Sequence, residues 1–130
     1  MWKYLSANFT SWAAVKEPTN PHPDKVHYIW KEASALLFGR YLRPAMRAAL
    51  FGAMSRIANV TVAHQVADAA GRRGIAITVT DQTYNEQLIF DPDTYVYLGS
   101  RGWWHQDGKL VTNATAVTRS GFVDKVGQLP

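Results

Sequence analysis

The spacing of apolar residues changes period near residue 59, dividing the chain into a helical front and a stranded back. In residues 74–80 the side chains alternate strictly, with Ile75, Ile77 and Val79 on one side and Ala76, Thr78 and Thr80 on the other. A period of two marks a half-buried strand, and β-branched residues suit its pleated surface. Residues 86–90 and 94–99 continue the pattern, Leu88 and Phe90 opposing Gln87 and Ile89, then Tyr95 and Tyr97 opposing Val96 and Leu98. Residues 81–85 and Asp91-Pro92-Asp93 supply the reversals, since proline presets one turn dihedral and aspartate bonds to nearby amides. Links this short require antiparallel neighbours, because parallel strands need a long crossover.

The residues in front read as helices. Trp2, Leu5, Phe9 and Trp12 form the stripe of a short amphipathic helix, and a proline-broken loop over residues 16–23 follows it. Val26, Ile29, Trp30, Ala33, Leu36 and Leu37 make a second stripe over residues 24–40, weakened near its end by Gly39. Pro44 opens another helix, where its missing N–H costs nothing, and residues 45–58 align Met46, Ala49, Leu50, Ala53, Met54 and Ile57. Asn59-Val60-Thr61-Val62 begins a strand, residues 64–70 are ambiguous, and Gly71-Arg72-Arg73-Gly74 turns into the central strands. Further on, Gln106-Asp107-Gly108-Lys109 joins residues 101–105 to 110–119 as a hairpin. Residues 122–126 either extend that strand or bend away after Gly121. The expected architecture is α+β, with N-terminal helices packed on an antiparallel β-meander of about five strands. It is expected to form one domain over residues 1–130, with 1–58 as helical cover and 59–130 as sheet.

Composition narrows the function classes. The net charge of +4 comes from scattered basic residues, densest at Arg40, Arg43 and Arg47 and at Arg72 and Arg73. They lack the stripe of a nucleic-acid module, so no nucleic-acid partner is expected. With no cysteine, disulfides, thiolate chemistry and cysteine-based zinc sites are excluded. No apolar run approaches the roughly 20 residues that span a bilayer, so no membrane insertion by this chain is expected. No signal peptide is read at the N-terminus, and the chain as written reads as cytoplasmic.

Of the histidines His22, His27, His64 and His105, no two have metal-pair spacing, so neither metal nor cofactor is expected. His27 flanks the apolar stripe of its helix, and His105 follows Trp103-Trp104 at the hairpin, where both could edge a helix/sheet cleft. With Asp81 as an orienting carboxylate they are the candidate catalytic residues, because acid–base work needs a group titrating near neutrality. His64, Glu86 and Asp91 are further candidates of the same chemistry. The aromatic residues Trp30, Tyr95, Tyr97, Trp103 and Trp104 are the candidate ligand-binding set, offering large contact area with a polar handle. Their structural alternative is cross-strand pairing, and Tyr95 and Tyr97 lean that way.

Four stretches carry a resemblance: LRPAMRAALFGAMSRIANVTV, DAAGRRGIAITVTD, QLIFDPDTYVYLGSR and AVTRSGFVDKVGQLP. Together they resemble the C-terminal half of an actinobacterial family of membrane-anchored conserved-hypothetical proteins, sigma-factor-associated and of no agreed reaction. The resemblance implies an extracytoplasmic domain similar to lipoprotein-carrier and sigma-regulator half-barrels, in which an open sheet wraps helices around an apolar cleft. It implies a short, anchor-less, free-standing member here, with an open sheet edge covered by a second copy, hence a homodimer. No catalytic residue carries over.

The leading functional expectation is a non-enzymatic binding domain holding an apolar or aromatic small molecule, or a protein segment, between helices and sheet. The alternative is a small cofactor-free cyclase or isomerase acting on a polycyclic or polyketide-like substrate by His/Asp acid–base chemistry.

Overall fold

The computed structural model describes residues 25–39, 41–80 and 84–130. The expected helix over residues 2–12, the proline loop, His22 and Asp81 lie outside the described residues. Among the described residues two helices, α1 (Lys25–Gly39) and α2 (Pro44–Met54), precede five strands. These are β1 (Val60–Ala67), β2 (Arg73–Thr80), β3 (Tyr84–Phe90), β4 (Tyr97–Gln106) and β5 (Lys109–Ala116). The sheet order is β1-β2-β3-β4-β5, with every neighbouring pair antiparallel. This is the α+β meander expected from the sequence.

One core joins the layers. From α1 come Ile29, Trp30 and Ala33, from α2 Leu50, Phe51 and Met54, and from the sheet Ile75, Ile77, Val79, Leu88 and Phe90. The register sets Ile77 against Leu88 and Ile75 against Phe90, so the alternating residues of β2 and β3 share the helix-side face. The other face carries a smaller cluster of Ala76, Ile89 and Leu98, with Val66 against it. Gly74 lets β2 and β3 approach closely, because a Cβ there would collide with the Phe90 carbonyl oxygen.

Several boundaries differ from the expected ones. The helix expected over residues 45–58 ends at Met54. Ser55 Oγ donates to Gly52 O at 2.9 Å, and Asn59 sits in the left-handed region at φ 63, a combination that turns the chain into β1. The ambiguous residues after His64 continue β1 past a bulge between Ala63 and Val66, with Gln65 at φ 62. The strand expected at residues 94–99 does not begin until Tyr97, because Tyr95 takes φ 56. Asp91 Oδ1 dictates that wider turn, accepting from Asp93 N at 3.0 Å, Thr94 N at 2.8 Å and Thr94 Oγ1 at 2.9 Å. Those donors, led by the Thr94 N–H, hold the Asp91 carboxyl below its ordinary range. Strand β4 then runs unbroken through residues expected to belong to two separate strands.

Asp68 and the AAGRRG stretch after it form a lock at one end of the sheet. Asp68 is 3% exposed, and its Oδ1 accepts the Ala70 and Arg72 N–H groups at 2.9 and 2.8 Å. Its Oδ2 accepts Arg72 Nε at 2.6 Å. Arg72 Nη2 then donates to Leu98 O at 3.0 Å and Val117 O at 2.7 Å, tying the β1–β2 turn to β4 and the end of β5.

Candidate ligand cleft

A cleft of about 540 Å³ opens where the end of α1, the link to α2, the β3–β4 turn and the segment after β5 meet. Leu37, Phe38, Val96, Tyr97 and Phe122 are prominent in its apolar lining. Phe38 is 56% exposed, Tyr41 68% and Phe122 83%. Rings this exposed are common one at a time, but here several border one concavity. Their geometry is paired: Phe38 meets Tyr97 edge-on at 5.1 Å, and Tyr41 tilts against Phe122 at 5.2 Å. Phe90 backs Tyr97 at 6.0 Å and so connects the cleft wall to the core.

The wall is positioned from both sequence directions. Tyr97 is the first residue of β4 and pairs with Phe90 beside the ladder irregularity at Ile89/Phe90. Arg47, on α2, donates from Nε to Thr94 O and from Nη1 to Leu42 O, both at 3.2 Å. It thereby pins the turn and the helix link on either side of the opening. Among the described residues lining the cleft, Arg47 is the one charged group. The arrangement offers an apolar slot with one arginine and two tyrosines, Tyr41 and Tyr97, in its lining. No described lining residue supplies a carboxylate or imidazole for proton transfer.

The residues singled out from sequence are dispersed. Tyr97 lines the cleft, and Tyr95 lies nearby with its ring 4.9 Å from Phe51, packed against the core. Trp30 is 2% exposed inside the core, where its Nε1 donates to Glu86 Oε2 at 2.5 Å. Trp103 and Trp104 are successive strand residues and so project to opposite faces. Trp104 takes the helix side, opposite Tyr84 with ring centroids 6.4 Å apart. There burial, and then the Glu86 charge, push the Tyr84 hydroxyl above its ordinary range. His27 is exposed on α1 and His105 is exposed near the end of β4; neither lines the cleft.

No family model, no curated protein and no solved structure matches this chain. The cleft is therefore read from its own chemistry. Phe38, Tyr41, Val96, Arg47 and Phe122 were not anticipated as site residues. The available signal was two aromatics trailing the α1 stripe at its glycine end, and a lone phenylalanine following Gly121 in a polar tail. Among the described residues no helix is long and apolar enough to cross a membrane, and no group of His, Cys, Asp and Glu could hold a metal.

Proposed function

We propose that this is a non-enzymatic binding domain that holds an apolar or aromatic small molecule in the cleft beside α1. The carrying observation is the set of exposed aromatic rings around an apolar cavity of about 540 Å³. That volume lies within the roughly 300–1,000 Å³ of small-molecule sites, which argues for a small molecule over a protein segment. Arg47 and the tyrosine hydroxyls orient a ligand that has a hydrogen-bond acceptor at one end. The domain acts as a homodimer, a second copy covering an open edge of the sheet. An apolar-ligand carrier of this kind fits the half-barrel domains of the actinobacterial family that the AAGRRG and DPD stretches resemble.

Fluorescence titration with Nile red, an uncharged apolar dye, tests the reading. Saturable binding with a blue-shifted emission is expected. Removing one contacting ring by Phe38→Ala or Tyr97→Ala should weaken it about tenfold, the loss of a partly buried aromatic contact. Trp103→Ala and Trp104→Ala should leave it unchanged. Absence of saturable binding, or full affinity in Phe38→Ala, would overturn the proposal.

A further inference from the structure

The two outer strands of the sheet are unlike in one respect that bears on association. β1 is blunted: its ladder shifts at the Ala63/Val66 bulge, Gln65 adopts φ 62, and the Gln65 carbonyl accepts Arg73 Nη1 at 3.3 Å. Bulges and side chains laid on an edge are the usual ways a sheet avoids pairing with another chain. Among the described residues β5 shows none of them. All eight of its residues pair with β4 in an unshifted register, it contains no proline, and its one charged residue, Lys109, stands at its start.

The direction of its free backbone groups follows from the ladder. Val117 N donates to Leu98 O at 2.8 Å, which makes that opposed pair a bonded one. Bonded and non-bonded pairs alternate in an antiparallel ladder, so Ser100/Thr115, Gly102/Asn113 and Trp104/Val111 are bonded as well. Leu110, Thr112, Ala114 and Ala116 therefore turn their N–H and C=O groups away from β4, and no described strand lies beyond them. Most of β5 is exposed on both faces, so nothing described shields this edge.

We infer that β5 is the edge through which two copies of this chain join their sheets, antiparallel, with the two-fold axis at Asn113. This rests on the homodimer reading above and specifies its interface. It is the register in which all the outward-facing residues find partners: Thr112 bonds to the partner's Ala114, and Leu110 to the partner's Ala116. The side chains agree with it. On one face Leu110 and Thr112 meet alanines, and on the other Val111 meets the partner's Thr115. Asn113 faces its own copy, and the two carboxamides can bond to each other. Like charges do not oppose anywhere along this pairing. On the β4 side, Gly102 leaves room for the Asn113 side chain, whose Oδ1 lies where a Cβ on that glycine would be crowded. The product is one continuous sheet of ten described strands, twice the five described in one copy.

Three substitutions test it. At the axis the opposed Cα atoms form a non-bonded pair about 4.5 Å apart, within the range a disulfide bridges. The chain has no cysteine, so Asn113→Cys introduces a single thiol. Copper-phenanthroline oxidation should convert it to a covalent dimer, while Leu110→Cys, about 20 Å from its copy in this register, should not cross-link. Thr112→Pro removes an outward donor without breaking a bond to β4, and should raise the dimer dissociation constant about thirtyfold in sedimentation equilibrium. A wild-type monomer would overturn the homodimer reading and this interface with it. A wild-type dimer in which Thr112→Pro associates normally and Asn113→Cys fails to cross-link would overturn the β5 interface alone. Should Thr112→Pro fail to fold, the pair of cysteine variants decides.

Discussion

Asp68→Ala is expected to lower the unfolding free energy by ~3 kcal/mol at neutral pH, the loss of a buried carboxylate with several donors. The side chain of Asp68 is fully buried, whereas that of Arg72 is 39% exposed, so solvent screens part of the ion pair. The larger share of the effect comes from what the carboxylate organises. Without it the Ala70 and Arg72 amides lose their acceptor, and Arg72 loses the anchor that aims Nη2 at the Leu98 and Val117 carbonyls. The turn, β4 and the end of β5 would loosen together.

The pH dependence has a definite sign. Burial alone would raise the Asp68 carboxyl, but the Arg72 amide and guanidinium and the Ala70 amide outweigh it and hold the pKa below its ordinary value. A group depressed in the folded state contributes stability above its unfolded pKa, about 3.9, and loses it as pH falls through the folded value. Wild-type stability should therefore fall below about pH 4, and Asp68→Asn should flatten that limb. Urea unfolding at neutral pH and at stepped acid pH checks both statements. An alanine variant within about 0.5 kcal/mol of wild type would contradict the lock.

Trp30→Ala is expected to cost ~3–5 kcal/mol, the range for a large aromatic removed from a packed core. Trp30 belongs to the cluster joining both helices to β2 and β3, so its loss leaves a cavity between the layers. It also leaves the half-buried Glu86 carboxylate without the indole N–H. Trp30→Phe fills most of that space but cannot donate, and should fall between wild type and alanine. Denaturant midpoints separate the three proteins. If Trp30→Ala kept its midpoint while losing dye binding, Trp30 would be a ligand contact and its core role would be contradicted.

These effects show what could be read in advance and what could not. The central strands were legible because Ile75, Ile77 and Val79 face a common core, and burial on one side enforces a period of two. The second reversal was legible from Asp91-Pro92-Asp93, but its width was not. That width depends on Thr94 returning both donors to Asp91 and on Tyr95 accepting a left-handed backbone, neither of which periodicity records. The length of β4 was hidden at Gly99, where the strand expected over residues 94–99 stops. Gly99 instead takes φ 155 where a Cβ would collide with the Thr115 carbonyl oxygen of the neighbouring strand.

Of the aromatic residues singled out in the sequence, Tyr97 lines the cleft. The rest depends on tertiary proximity: Phe38 and Phe122 lie far apart in the chain and meet only because α1 and the segment after β5 reach the same end of the sheet. Adjacency in sequence was a poor guide for Trp103 and Trp104, since neighbours on a strand face opposite ways.

The most direct test of the central claim is a backbone-amide NMR titration of the wild-type protein with Nile red. Shifts concentrated at Phe38, Tyr41, Val96, Tyr97 and Phe122 are expected, saturating together with one dissociation constant. Shifts centred on Trp103 or Trp104, or no saturable shift at all, would contradict it.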